Sequence, residues 1–211
     1  MAIQIVHGKQ VVVEFDGAKC IHSRHCVLDS PDAFVPNAKG EWIHPDAVSA
    51  DAVIRVAHNC PSGAIVARRL DGGGEEAAPT VNVVRVLENG PLAMRATLML
   101  NGQAVGYRAT LCRCGDSRNK PFCDGSHVKK KFVASGEPAT KESKSLEHSG
   151  GVLKLEPKPD GPLHVTGPIE VVSGTGRTIN RATELWFCRC GQSKNKPYCD
   201  SSHVAAGFKA S

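Results

Sequence analysis

The apolar positions of this chain fall into short runs with a period of two, broken at close intervals by turn residues, and only one segment carries a helical period. Val11 to Phe15 forms one apolar run. Val81 to Leu87, Ala93 to Leu100 and Gly106 to Leu111 form three more, separated by Asn89-Gly90-Pro91 and Asn101-Gly102. Alternation bounded by Asn-Gly signals predicts strands joined by tight turns. Ile169 to Val172 and Glu184 to Phe187 flank Ser173-Gly-Thr-Gly176, and Gly161-Pro162-Leu163 echoes Gly90-Pro91-Leu92, so the plan is repeated downstream. The one amphipathic helix is expected over Ala50 to His58, with Ser49 as its N-cap and Val53, Ile54 and Ala57 on one face. Asp71 to Thr80 has no apolar period and is rich in Gly, Glu and Ala, which reads as a linker.

The repeat is sharpest where the strands end. Cys112 to Val128, CRCGDSRNKPFCDGSHV, aligns with Cys188 to Val204, CRCGQSKNKPYCDSSHV, with 13 of 17 positions identical. The changes are Asp116 to Gln192, Arg118 to Lys194, Phe122 to Tyr198 and Gly125 to Ser201, and the same offset places Phe132 on Phe208. The expected fold class is α+β, with residues 1–70, a linker over 71–80, and two β-rich units over 81–150 and 151–211 that pack as a pseudo-twofold pair.

Aromatic residues make up only 5% of the 211 residues, and folded chains poor in large apolar side chains often gain stability from bound metal. Nine cysteines point the same way, because closely spaced thiols in a reducing compartment serve as metal ligands. The opening, Met1-Ala-Ile-Gln-Ile-Val-His-Gly-Lys, lacks a basic and then apolar leader, and Glu14 and Asp16 arrive too early for a transit peptide. No stretch reaches the roughly 18 apolar residues of a membrane helix. A cytoplasmic protein without a membrane role is expected. The net charge of +5 is uneven: residues 81–211 hold 19 Lys and Arg against 11 Asp and Glu. With no dense basic stripe and no interleaved stacking aromatics, this suggests a docking face for acidic redox partners or a merely soluble surface, and no nucleic-acid role.

Cys112 and Cys114, one residue apart, can reach one metal ion from a tight loop, while Cys123 and His127, spaced i and i+4 on a helical turn, can reach another. Two pairs suit two irons, and Cys188, Cys190, Cys199 and His203 repeat the set. Pro121 and Pro197 are expected at the first turn of the following helix. Ser117 and Ser193 can donate hydroxyls to a cluster sulfur, and Asp124 and Asp200 can accept N–H groups at the helix start, with plain turn and cap chemistry as the alternative for each. Structural zinc is the rival for the eight ligands, although zinc knuckles space their cysteines more widely.

Cys-x-Cys-x2-Ser-x3-Pro-x-Cys-Asp-Gly-Ser-His at 112–127, and its copy at 188–203 with Ser201 in the glycine position, resembles the signature of the CDGSH iron-sulfur (NEET) family, in its tandem form, over roughly 81–211. The resemblance implies two [2Fe–2S] clusters, with Cys112 and Cys114 on an inner iron, Cys123 and His127 on an outer one, and the second set likewise. It implies redox-active proteins with acid-labile, transferable clusters, and here a monomer whose two motifs imitate a dimer. A histidine ligand lets acid compete with iron, so loss is expected below about pH 6.5. Ser201 raises the question of a positive φ at that position.

In the first seventy residues, Cys20-Ile-His-Ser23-Arg-His-Cys26 with distant Cys60-Pro61 resembles a ferredoxin run whose middle cysteine has become Ser23. Three cysteines suit a [3Fe–4S] cluster; a [4Fe–4S] cluster needs a fourth ligand from Ser23, His22, His25 or solvent, and a cluster-free ferredoxin fold is the alternative. All nine cysteines are thereby placed, and His7, His44, His58, His148 and His164 are assigned nothing. No nucleotide fingerprint, P-loop or nucleophile with a base is present, so the chain is expected not to be an enzyme itself. One-electron transfer with redox partner proteins is the leading expectation, with cluster storage, delivery to apo-acceptors or redox and pH sensing as the alternative.

Overall fold

The structure, a computed structural model, describes residues 3–210; Met1 and Ala2, which open the stretch read above for a targeting signal, and Ser211 lie outside it. The chain forms two compact units that part between Ala77 and Ala78, within the segment expected as a linker.

In the first unit β1 (Gln4–His7) and β2 (Val11–Phe15) form an antiparallel hairpin, and β3 (Ile65–Arg69) pairs antiparallel with the other edge of β2. β3 alternates, with Ile65 and Ala67 buried and Val66 exposed, as a strand covered on one face does. The cover is α2 (Ala50–Asn59), preceded in the chain by α1 (His25–Asp29) and a 3-10 turn at Pro45–Ala47. The Ser49 hydroxyl accepts the Ala52 N–H at 3.3 Å, satisfying one of the free donors of the first turn. The buried face of α2 is Ala50, Val53, Val56 and Ala57, so it is centred slightly away from the predicted stripe, and Ile54 is only partly covered. These residues pack on Val11, Val13, Phe34, Ile43 and Ile65.

The second unit contains β4 (Val83–Val86), β5 (Leu92–Leu100), β6 (Gln103–Leu111), α3 (Ser126–Lys129), β7 (Val152–Pro157), β8 (Leu163–Val172), β9 (Thr178–Phe187) and α4 (Ser202–Ala205). β8 and β9 are longer than the predicted runs, because their polar outer positions hid the continuation of the strands.

One edge of β5 pairs with β6; its other edge pairs antiparallel with β4 over Leu92–Arg95 and parallel with β7 over Thr97–Leu100. β8 repeats this arrangement: β9 on one edge, β7 antiparallel over Leu163–Thr166 and β4 parallel over Glu170–Val172 on the other. Every pairing in one copy thus has its counterpart in the other, and β4 and β7 each bridge the two copies. One register shift in each long strand, between Arg95 and Leu98 and between Thr166 and Ile169, falls where that strand changes partner, as bulges that bend a strand do; a second lies between Leu98 and Met99 in β5 and between Val171 and Val172 in β8. Asn101 and Gly102 both have positive φ, 48° and 81°, matching the twist of a two-residue hairpin between β5 and β6.

Alternate residues of all six strands, among them Val84, Met94, Leu98, Leu153, Val165 and Ile169, meet in one core, and Leu111 and Phe187 close it where β6 and β9 end. Those strand ends deliver the cysteines. No helix among the described residues is long and apolar enough to cross a membrane.

Candidate metal centres

β6 runs directly into Cys112, and β9 into Cys188. In each copy the loop then folds back on its own strand: Cys112 N–H donates to Pro121 O at 2.8 Å and Cys123 N–H to Thr110 O at 2.8 Å. Cys188 and Cys199 make the same bonds with Pro197 and Trp186, at 2.9 and 2.8 Å. The strand end thereby holds the third cysteine beside the first.

The thiols come together in pairs. Cys112 and Cys114 sulfurs lie 3.8 Å apart, and Cys123 Sγ lies 3.3 Å from His127 Nδ1. In the second copy the values are 3.6 Å for Cys188 and Cys190, and 3.5 Å for Cys199 and His203 Nδ1. Among the described residues no three His, Cys, Asp or Glu side chains lie close enough together to hold a single metal ion. Two two-donor pairs could serve a binuclear iron-sulfur group, whose irons each take two protein ligands.

α3 begins at Ser126 and α4 at Ser202, so Cys123 and Cys199 precede their helices, and Pro121 and Pro197, which follow cis peptide bonds, are not first-turn residues. The pairing with histidine is achieved by the turn instead. Asp124 accepts N–H groups from Arg118 and Ser126, at 2.9 and 3.0 Å, and Asp200 from Lys194 and Ser202, at 2.8 and 3.0 Å. Each aspartate thus ties the loop to the helix start. The Ser117 and Ser193 hydroxyls donate to the Phe122 and Tyr198 carbonyls, at 2.6 and 2.7 Å, so their protons go to the backbone and not to a sulfur. Position 125 does need a positive φ: Gly125 stands at 82° and Ser201 at 69°.

The electrostatics divide the ligands. The Cys114 thiol, donating to Cys112, holds Cys112 below the ordinary thiol range against the effect of burial, and N–H groups of Ser117, Gly115 and Cys114 add to this; Cys114 is correspondingly raised. Burial pushes Cys123 up to about 12 and raises Cys188. Burial also lowers His127, keeping its imidazole in the neutral form that a metal requires.

Two features escaped the sequence reading. Arg113 and Arg189, between the paired cysteines, are almost fully buried, and Gly115 and Gly191 are pressed against the other copy. The only signal was their recurrence in the repeat. The offset that matches Phe132 with Phe208 sets each ring beside its copy's arginine, 5.4 and 5.7 Å from the guanidinium carbon.

In the first unit a cavity of about 650 Å³ is lined by Cys20, Cys26 and Cys60 together, with Trp42 on its wall. His22, Ser23 and His25, the candidates for a fourth ligand, line it as well. Residues 22 and 24 have φ of 54° and 66°, a tight turn that brings Cys20 and Cys26 to one side. Burial raises both thiols, and each also feels the charge of Cys60. His25 Nδ1 lies 3.2 Å from Asn59 O, next to Cys60. A cavity of this size with three thiols on its lining has room for a polynuclear iron-sulfur group.

Residues 87–128 and 160–204 match the family described as iron-binding zinc finger CDGSH type, and residues 6–69 match that described as divergent 4Fe-4S mono-cluster. Two relatives, the uncharacterized protein YjdI of Escherichia coli strain K12 and that of Escherichia coli O157:H7, are each 40% identical over 58 residues, which is 28% of this chain and 75% of the relative.

Proposed function

Because this chain belongs to the CDGSH iron-sulfur family in its tandem form, with a divergent mono-cluster ferredoxin domain ahead of the two motifs, we propose that it is a three-centre electron carrier. Cys112, Cys114, Cys123 and His127 would hold one [2Fe–2S] cluster, Cys188, Cys190, Cys199 and His203 a second, and Cys20, Cys26 and Cys60 a third of [3Fe–4S] or [4Fe–4S] type. Bound clusters supply one-electron redox chemistry; the protein binds them, limits water at the inner ligands and sets their charge environment. The observation that carries the reading is the gathering of two donor pairs in each motif, Cys112 with Cys114 and Cys123 with His127, and Cys188 with Cys190 and Cys199 with His203. The exchange of β4 and β7 pairings supports a pseudo-twofold relation between the copies, one chain doing the work of a dimer. An acidic redox protein is the partner we favour, since the second half carries the excess of Lys and Arg, and the cytoplasm is the compartment we favour for a chain of reduced thiols.

One observation favours a second reading, cluster delivery to apo-acceptors or redox and pH sensing. His127 and His203 are only partly buried, whereas Cys112, Cys114, Cys188 and Cys190 are buried, so the histidine side of each site opens to solvent.

The test is the content of iron, acid-labile sulfide and zinc in anaerobically purified protein, with electron paramagnetic resonance before and after dithionite. About seven or eight irons, with the three-cysteine centre lost in Cys60→Ala while about four irons remain, is the expected result. Stoichiometric zinc without sulfide would refute the reading. Reversible reduction without cluster loss favours electron transfer; transfer of iron and sulfide to an apo-ferredoxin favours delivery.

A further inference from the structure

What surrounds the histidine of each motif differs between the two copies. In the first motif Cys112, Cys114 and Cys123 are buried and His127 is half-buried, so the imidazole is the most exposed of the four ligands. The chain closes a turn beside it: Lys130 N–H donates to Ser126 O at 2.9 Å and Phe132 N–H to His127 O at 3.0 Å. Val128 and Val133 bracket this turn, 69% and 81% exposed, and Lys129, Lys130 and Lys131 between them are exposed as well. Lys130 Nζ lies 3.3 Å from an Asp116 carboxylate oxygen in the cysteine loop, which holds that ammonium against the motif. In the second copy the same bonds recur, from Ala206 to Ser202 at 3.0 Å and from Phe208 to His203 at 3.1 Å, and Val204 is again exposed. There Ala205, Ala206 and Gly207 stand in place of the three lysines.

The lysines are kept against a local preference. Lys131 follows the C-cap of α3 with a φ of 51°, a position where glycine is favoured, and the second copy has Gly207 there at 58°. Strain held at one copy's solvent face, where its repeat avoids it, points to a use for the side chain. Electron exchange falls steeply with distance, so a redox partner must meet the ligand that lies nearest the surface. Exposed apolar side chains among charges of one sign give such an encounter its contact and its steering.

We propose that the turn 128–133 of the first motif is the docking site for an acidic redox protein, with Val128 and Val133 in contact and Lys129, Lys130 and Lys131 steering, and that the second motif does not take this partner. It rests on the reading that the first motif holds a [2Fe–2S] cluster, and narrows the favoured acidic partner to one face. In the transfer one electron leaves the partner's reduced cluster and enters the first motif's oxidised cluster; no bond or proton is exchanged.

The experiment is stopped-flow reduction of the whole oxidised protein by a reduced, acidic plant-type ferredoxin, whose potential lies below that of a histidine-ligated centre. Two variants of matched charge are compared. Lys129→Gln, Lys130→Gln, Lys131→Gln loses three lysine charges; Ala205→Glu, Ala206→Glu, Lys209→Gln gains two carboxylates and loses one lysine charge. At low ionic strength the first should react about tenfold more slowly than the unsubstituted protein and the second within about twofold of it, and high salt should remove the difference. Equal slowing in both variants, no slowing in the lysine variant, or a rate that salt does not change overturns the proposal. Should the lysine variant lose its cluster, Lys131→Gly decides: slower reduction with a melting temperature no lower supports the proposal, and an unchanged rate overturns it. Binding to phosphatidylcholine vesicles containing phosphatidylserine that needs the lysines, while the ferredoxin reaction does not, assigns them to a membrane surface and also overturns it. Fewer than two [2Fe–2S] centres by iron and sulfide content would instead refute the underlying reading; centres that dithionite reduces reversibly but that ferredoxin reduces without regard to the lysines leave that reading standing and refute the docking site alone.

Discussion

The seam between the two cysteine loops can be tested by adding one carbon atom. In Gly115→Ala two costs combine. Gly115 has a φ of 87°, where an L-residue is strained by about 1–2 kcal/mol. The new Cβ would also lie 2.7 Å from Cys190 O and 3.0 Å from Cys190 C, both backbone atoms that cannot rotate away, and forced repacking of that kind costs about 1–3 kcal/mol. The total, about 2–5 kcal/mol, is a large part of the roughly 5–15 kcal/mol that holds a domain folded. Gly125→Ala supplies the control, because its φ of 82° imposes the same strain while nothing lies within 4 Å of the added carbon. Ser201, at 69° in the equivalent position, shows that this strain alone is tolerated. The assay is thermal loss of visible absorbance and of far-ultraviolet circular dichroism at one fixed scan rate, since loss of clusters makes unfolding irreversible. Gly115→Ala should melt several degrees below Gly125→Ala. The double variant Gly115→Ala, Gly191→Ala should cost less than the sum of the singles, because both open one seam. Equal losses in Gly115→Ala and Gly125→Ala would show that the loops do not abut.

Three further outcomes are expected. Ser201→Gly should stabilise the second unit by about 1 kcal/mol, read as a higher melting temperature, by relieving the left-handed backbone at the start of α4. Burial holds the folded-state His127 below its ordinary value, so the unfolded chain takes up a proton first; stability from this group is present above about pH 6.5 and is lost as pH falls below it. Bleaching followed across pH 5–8 should therefore accelerate on the acid side, and His127→Cys should remove the first motif's share; an unchanged profile would contradict this account. Ser49→Ala should destabilise the first unit by about 1 kcal/mol in urea, with the loss confined to that unit, because the cap on the Ala52 N–H is removed.

Much of this protein is written locally. The period-two runs with Asn-Gly turns placed β2, β5 and most of β6, because alternation and positive-φ turns are properties of neighbouring residues. Ser49 followed by a 3.6 period gave α2 for the same reason. Cysteine spacing named thiols that the fold brings together, since a Cys-x-Cys loop has little room to place its sulfurs elsewhere. What required the tertiary structure was everything that joins distant segments. β1 and β3 are too short and too polar on one side to stand out until β2 is there to pair with them. The crossing of β4 and β7 between the copies depends on which edges of β5 and β8 are free, a question that no local pattern answers. Ser117 and Ser193 found backbone acceptors closer than any sulfur, which only the folded loop reveals. The buried arginines look like surface charges in the sequence, because a solitary Arg carries no mark of burial; four carbonyls from residues 87, 90, 134 and 135, gathered by the fold, make Arg113 an interior cation. The residues determined which donor groups this chain offers, and the fold determined that the two cysteine loops of the second unit abut, because donor chemistry is a property of side chains while proximity between distant segments belongs to the packed chain alone.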